Sequence, residues 1–271
     1  MEIENTNNSQ RIDELTNKVE ELEEDAEEIQ QKSFLEKFRN FAVTLMLLMI
    51  SIGQWNDTKD VILSAYEEIV SRWTNTLEYD KLSQLRVGYS SEYVESLLGL
   101  PQVTKHSKLS ANTMFSYYGT SKYILTTAVT NNRLSGFSVI ALKNDFYAPI
   151  VYLDKKLNKN QLDSYLPSQD LFMTDFGNVE YFIENYELSR NLMFYEFSLG
   201  IINYGLLPDD LRNEIQVLNR QLENGKDLLL SDLTVQDKIF PNYYSVSELS
   251  NDIMMESILS RYEMAALFKN E

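Results

Sequence analysis

Three glutamates are the residues whose type and spacing could support catalysis. Glu180, Glu184 and Glu187 are separated by four and then three positions, so a helix would place all three carboxylates on one face. Hydrolysis of a glycosidic bond uses two carboxylates that flank the substrate, one of them acting as the acid. Three carboxylates on a single helix face are instead typical of a solvated surface. A carboxylate-dependent hydrolase is therefore the less favoured alternative.

Other residue types offer little further chemistry. His106 is the single histidine and the chain has no cysteine, so one chain supplies neither a histidine metal cluster nor a reactive thiol. Asp209 and Asp210 follow a proline at a predicted helix start, where acidic side chains complement the helix dipole. We predict a protein that is not an enzyme and that uses no metal and no cofactor.

The composition is that of a folded, acidic protein. Of the 271 residues, 44% are hydrophobic and 24% are charged, which is typical of globular domains. The formal net charge of −17 repels phosphate groups, so nucleic acid is not an expected partner.

Residues 1–39 show a heptad pattern. Apolar residues recur at alternating steps of three and four, which predicts an acidic coiled-coil helix and a homo-oligomer, with a dimer favoured. The predicted oligomerisation residues are Ile12, Leu15, Val19, Leu22, Ala26 and Ile29. The alternative is a single amphipathic helix that packs on its own domain.

Residues 40–56 contain no charged side chain. The stretch FAVTLMLLMISIGQW, residues 41–55, is apolar on every face, and this predicts a transmembrane helix close to the minimum length for a bilayer. Basic residues precede it and acidic residues follow it, which places the N-terminus in the cytoplasm of a bacterium and the helix in the inner membrane. The alternative is a soluble, cytoplasmic coiled-coil scaffold in which residues 41–55 form a buried helix.

The next region has a helix followed by strands. Ser90 is a suitable N-cap for a short helix that ends at Gly99. Residues 113–142 are rich in β-branched and aromatic side chains, and Asn131-Asn132 favours a hairpin turn. With a possible further strand at 146–153, this predicts an antiparallel meander of three or four strands.

The run LRVGYSSEYVESLLGLP, residues 85–101, resembles the opening of SmpA/OmlA (BamE-like) domains, whose fold is shared with β-lactamase-inhibitor-protein repeats. The resemblance covers residues 83–142. It implies a helix before a three-stranded meander, and a protein-binding module of the bacterial envelope without catalytic machinery. The lipoprotein cysteine of the outer-membrane members is absent here.

Beyond the meander the pattern becomes helical again, at residues 178–202, 209–223 and 245–268. We therefore predict an α+β fold in three parts. These are a coiled-coil helix at 1–39, a transmembrane helix at 40–56 and an interaction domain at 57–271. The last would contain a BamE-like core at 83–153 and a helical extension at 154–271.

Together these patterns predict a membrane-anchored, oligomeric protein-interaction module that acts in envelope assembly, regulation or a defence complex. Tyrosine gives a large contact area at a low entropic cost and is common at interfaces. The predicted partner-binding residues are the sheet tyrosines Tyr117, Tyr118, Tyr123, Tyr147 and Tyr152. The alternative is that these rings cover the core of the sheet itself.

Overall fold

Eight antiparallel strands form one sheet in the order β1-β2-β3-β4-β8-β7-β6-β5. A computed structural model describes residues 37–47, 75–166, 172–187, 194–226, 228, 233 and 235–268. The strands are β1 (Val103–His106), β2 (Thr113–Gly119), β3 (Tyr123–Thr130), β4 (Arg133–Ala141), β5 (Phe172–Phe176), β6 (Glu180–Glu187), β7 (Glu196–Ile202) and β8 (Tyr243–Ser247). β8 is thus flanked by two meanders, β1–β4 on one side and β5–β7 on the other.

In the described part of the compact unit Thr74–Glu271, five α-helices accompany the sheet. They are α1 (Thr76–Gln84), α2 (Ser91–Leu98), α3 (Asp209–Glu223), α4 (Asn251–Glu256) and α5 (Arg261–Phe268). The other compact unit is Met1–Trp73, of which residues 37–47 are described and are helical.

Both faces of the sheet are buried. The first face carries side chains such as Leu125 and Tyr244 and forms one core with residues of α1, α2 and α3. The second face carries Phe115 and Ile183 and forms another core with residues of α4 and α5. Because successive side chains of a strand point to opposite faces, most of these strands are apolar or aromatic at consecutive positions.

Local sequence signals for α2 and the first hairpins are confirmed. The Ser90 side chain accepts a hydrogen bond from the backbone N–H of Tyr93 at 3.3 Å, which is the predicted N-cap. Gly99 ends the helix with a φ of 83°. Asn131 and Asn132 both have positive φ in the turn between β3 and β4. The helix predicted at 209–223 is α3.

Three other predictions are wrong. Residues 178–202, predicted to be a helix, contain β6 and β7 instead. Residues 245–268 begin inside β8 and continue as two short helices rather than one long helix. Residues 146–153 form a loop with a turn at 151–152 rather than a strand, and Pro149 makes an isolated bridge to Lys156. In the first two cases a strand that is covered on both faces has no alternation to distinguish it from a buried helix.

The predicted transmembrane helix at 40–56 is also wrong. Within the described ranges, no helix combines the length and the apolar character that a bilayer crossing needs. The membrane anchor and the inner-membrane location that depended on this helix therefore have no support. The coiled coil predicted for residues 1–39 is not seen either, and its six heptad residues lie outside the part of the chain that the structure describes.

Candidate functional site

The glutamates proposed for acid–base chemistry do not share a helix face. All three lie in β6, where Glu180 and Glu184 are buried, and the predicted solvated helix is therefore wrong. The two buried carboxylates have different partners, and each accepts hydrogen bonds from neighbouring side chains.

Glu184 belongs to a buried network on the first face of the sheet. Only 1% of its surface is exposed. Its carboxylate accepts hydrogen bonds from the Tyr186 hydroxyl and, at 2.7 Å, from Nε2 of Gln236. Burial raises the pKa of Glu184, and these two hydrogen bonds offset only part of that effect. A carboxyl group this enclosed is not accessible to a substrate.

Glu180 is buried beneath two arginines. Arg212 of α3 donates two hydrogen bonds to its carboxylate, at 2.6 and 2.9 Å, and Arg261 of α5 approaches it at 2.5 Å. The Asn203 amide donates a further hydrogen bond. Burial alone would raise the pKa of Glu180, but the hydrogen bonds and positive charges together lower it. Glu180 is therefore held as an anion and is not suited to donate a proton.

The remaining predicted chemistry is equally limited. His106 is exposed at the end of the edge strand β1. Asp209 and Asp210 occupy the first turn of α3, as predicted. Over the described ranges, no group of three or more histidine, aspartate or glutamate side chains is arranged to hold a metal ion.

The five tyrosines predicted to bind a partner do not form one surface. Tyr117 is fully buried in the core of the second face, where its hydroxyl donates to the Ser257 carbonyl at 2.9 Å. Tyr123 is buried on the first face and stacks on Phe146. Tyr118 and Tyr152 are half-buried on the first face, and Tyr147 is exposed in a loop. Of the five, only Tyr152 has a backbone with positive φ.

Tyr152 adopts a backbone conformation that is rare for a bulky residue. Its φ is +71°, in the left-handed region that normally favours glycine or asparagine. The side chain is fixed by its neighbours: the backbone N–H of Val87 donates to its hydroxyl at 3.3 Å, and the Tyr195 ring lies 5.8 Å away. A strained backbone that the surroundings hold in place is a feature often found at functional sites.

Arg86 lies over the ring of Tyr152, with its guanidinium carbon 5.5 Å from the ring centroid. The guanidinium donates to the carbonyl oxygens of Ser83 and Leu85, both at 2.6 Å. Within the described ranges, Arg86 has no carboxylate at ion-pair distance. Among the residues that the structure describes, its positive charge is therefore unpaired, in a chain whose net charge is strongly negative.

Two further tyrosines extend this surface. Tyr89 and Tyr93 pack edge to face, with their centroids 4.8 Å apart, and Tyr89 packs against the same core as Tyr152. We call the set Arg86, Tyr89, Tyr93, Tyr152 and Tyr195 the tyrosine surface. All five side chains are half-buried or exposed.

Backbone hydrogen bonds position this surface at one end of the sheet. The Gly88 N–H donates to the Leu134 carbonyl, and the Leu134 N–H donates to the Tyr89 carbonyl, both at 2.8 Å. These bonds fix the segment before α2 against the start of β4. β8 pairs with both β4 and β7, which brings the start of β7, and Tyr195 just before it, to the same end.

Sequence reasoning missed four of the five residues. Arg86, Tyr89 and Tyr93 lie in the stretch used for the family resemblance, where they carried no separate signal. Tyr195 lies in a region that was predicted to be helical, so nothing connected it with Tyr152. The pairing of β7 with β8 supplies that connection, and it depends on contacts far apart in the chain.

Comparisons with known proteins add little. No protein-family model matches the chain, and no curated protein matches it. Among solved structures, the chain is similar to an extracellular protein containing an SCP domain from Bacillus anthracis, with 11% identity and a TM-score of 0.29. The similarity covers 63% of this chain and 52% of that chain, so the chain spans about half the length of that protein. A TM-score this low supports no conclusion about fold or function.

Proposed function

We propose that this protein is a non-enzymatic interaction module that recognises another protein through the tyrosine surface. The observation that supports this most directly is Tyr152, whose backbone has a positive φ and whose ring contacts both Arg86 and Tyr195. Tyrosine and arginine are enriched among the residues that dominate binding energy at protein interfaces.

The surface is also preorganised. Fixing a side chain in its bound conformation before association reduces the entropy that binding must offset. Tyr152 is fixed by Val87 and Tyr195, and Tyr89 is fixed by Tyr93 and by its backbone hydrogen bond. A partner would find these rings already in place.

The partner should present a carboxylate close to an apolar or aromatic side chain. Arg86 has unused N–H groups that can donate hydrogen bonds to such a carboxylate and form an ion pair with it. The neighbouring rings of Tyr89, Tyr93 and Tyr152 would contact the apolar group. Self-association through residues 12–29 stays a separate prediction, because those residues lie outside the described structure.

The hydrolase alternative has no observation in its favour. Of its proposed carboxylates, Glu184 is enclosed in a hydrogen-bonded network and Glu180 is paired with two arginines. Neither has the accessible, unpaired carboxyl group that general acid catalysis requires.

Photo-crosslinking tests the proposal. A photoreactive phenylalanine derivative is placed at Tyr93 or, as the matched control, at Tyr262, which is also an exposed tyrosine on a helix. We expect irradiation of living cells to give a discrete protein adduct from position 93 and not from position 262. Adding Arg86→Ala should remove that adduct while the melting temperature stays close to that of the parent variant.

Two results would contradict the proposal. One is the same set of adducts from both positions, which would indicate nonspecific contact. The other is a position-93 adduct that persists unchanged when Arg86 and Tyr152 are both replaced by alanine in a folded variant.

A further inference from the structure

A second site lies away from the tyrosine surface, where the loop after β7 meets α3 and α5. A cavity of about 290 Å³ opens there, lined by both arginines that bind Glu180. Asn203, Gly205 and Met264 also line it. The cavity is close to the lower end of the size range of small-molecule sites in proteins.

The charges at this cavity do not cancel. Arg212 and Arg261 contribute two positive charges, and the buried Glu180 contributes one negative charge. Glu263, the acidic residue of α5, already forms an ion pair with Lys105 and accepts a hydrogen bond from the backbone N–H of Ser260. The negative charge of Asp209 also contributes to raising the pKa of Arg212, but Asp209 is exposed to solvent at the start of α3.

Most of the unused side-chain hydrogen-bond donors of the cavity belong to the arginines. The Tyr204 hydroxyl donates to the Leu259 carbonyl, and the Asn203 amide is bonded to both Glu180 and the N–H of Gly205. Each guanidinium has five N–H groups, and the bonds to Glu180 use two from Arg212 and one from Arg261. About 40% of each arginine side chain remains exposed, 41% for Arg212 and 40% for Arg261.

Both guanidiniums are held in fixed positions. The carboxylate of Glu180 binds both guanidiniums, and the ring of Phe176 lies 5.4 Å from the guanidinium of Arg212. A planar guanidinium that is already oriented loses little entropy when it binds a carboxylate through paired hydrogen bonds. Beside these donors, Met264 and Ala265 supply an apolar wall.

We infer that this cavity binds a small organic carboxylate. The carboxylate would accept hydrogen bonds from Arg212 and Arg261, and a short apolar tail would lie along Met264 and Ala265. The buried Glu180 would act as a positioning residue that holds both arginines in place and does not itself contact the ligand.

Titration of the full-length protein with butyrate, followed through the arginine Nε–H signals in nuclear magnetic resonance spectra, tests the inference. We expect saturable shifts of the Arg212 and Arg261 signals. The neutral isostere butyramide should not produce them. Sodium chloride at equal ionic strength should not produce them either.

Three variants sharpen the test. Arg261→Gln leaves the Arg212–Glu180 hydrogen bonds in place and should weaken butyrate binding about tenfold or more. Ala265→Leu fills the cavity without changing any charge and should abolish the shifts altogether. Arg133→Gln is the matched control, because Arg133 forms an equivalent two-bond pair with Glu248 elsewhere on the protein. Its butyrate affinity should equal that of the wild type.

The inference is overturned by any of three results. These are a wild-type protein that shows no saturable shift, butyramide binding as well as butyrate, and equal affinity of the wild type and a folded Arg261→Gln variant. None of these results bears on the tyrosine surface, so the two proposals stand or fall independently.

Discussion

The ring of Phe268, at the end of α5, occupies the space where residue 119 of β2 would carry a side chain. Residue 119 is glycine, and a Cβ atom built there would overlap the ring. This contact attaches the last described helix to the second face of the sheet. It also explains why a glycine stands in a strand, where it is otherwise unfavourable.

Gly119→Ala should therefore destabilise the protein by about 1–3 kcal/mol, since the added methyl group forces the ring of Phe268 out of its position. Urea denaturation measures the change. The same substitution in a Phe268→Ala background should cost much less, because the ring is no longer present. An equal cost in both backgrounds would show that the two residues are not coupled.

Glu184→Gln should stabilise the protein at high pH. Burial raises the pKa of Glu184 in the folded state, so the folded protein binds this proton more tightly than the unfolded chain does. The stability that the protonated group supplies is present below the unfolded pKa and is lost as the pH rises through the folded pKa. Glutamine does not ionise, and it can bond to both partners: its amide oxygen accepts from Gln236, and its amide N–H donates to the Tyr186 hydroxyl once that hydroxyl rotates.

The measurement is the difference in unfolding free energy between the Glu184→Gln variant and the wild type. The variant should gain stability relative to the wild type as the pH rises above the ordinary glutamate pKa of about 4, and the gain should level off once the pH passes the raised pKa of Glu184 in the folded state. A difference that does not change with pH would indicate that Glu184 has the same pKa in both states.

Glu180→Gln should have the opposite effect. It removes a buried carboxylate that compensates two arginines, which should cost about 2–4 kcal/mol near neutral pH. The pKa of Glu180 is lowered in the folded state, so its stabilising contribution is present above the unfolded pKa. That contribution is lost as the pH falls through the folded pKa, and the gap between variant and wild type should close in acid. Denaturation curves at several pH values provide the test.

At position 152, glycine should be more favourable than alanine. Both substitutions remove the ring, but only glycine adopts the observed φ of +71° without steric cost. We expect Tyr152→Gly to be more stable than Tyr152→Ala by about 1 kcal/mol. At most strand and helix positions the order is reversed, so thermal melting of the two variants distinguishes a left-handed residue from an ordinary one. Equal stability would contradict the strained conformation.

Features set by local chemistry were predictable from the sequence. Ser90, Gly99 and the Asn131-Asn132 turn each depend on one residue's hydrogen bonding or φ preference, and each lies where it was predicted. The helix at 209–223 follows Pro208 and carries a regular apolar repeat, and α3 has the predicted bounds.

Features set by distant contacts were not predictable in the same way. Phe182, Ile183 and Tyr186 fit the spacing of a helix, yet they belong to β6, whose two faces are both covered. Ser245 and Glu248 match a helix capping box, but Ser245 is buried in β8 between β4 and β7. The tyrosine surface depends on the same pairing, and so its members could not be grouped from sequence alone.

The position of β8 in the chain has a consequence for biosynthesis. Of the eight described strands, β8 lies at the centre of the sheet and is synthesised after the other seven, so each meander has an unpaired inner edge until residues 243–247 emerge. An exposed strand edge is a template for pairing with another chain. Nascent chains that stall before residue 243 would therefore be the form of this protein most prone to aggregate, and the form that most requires a chaperone.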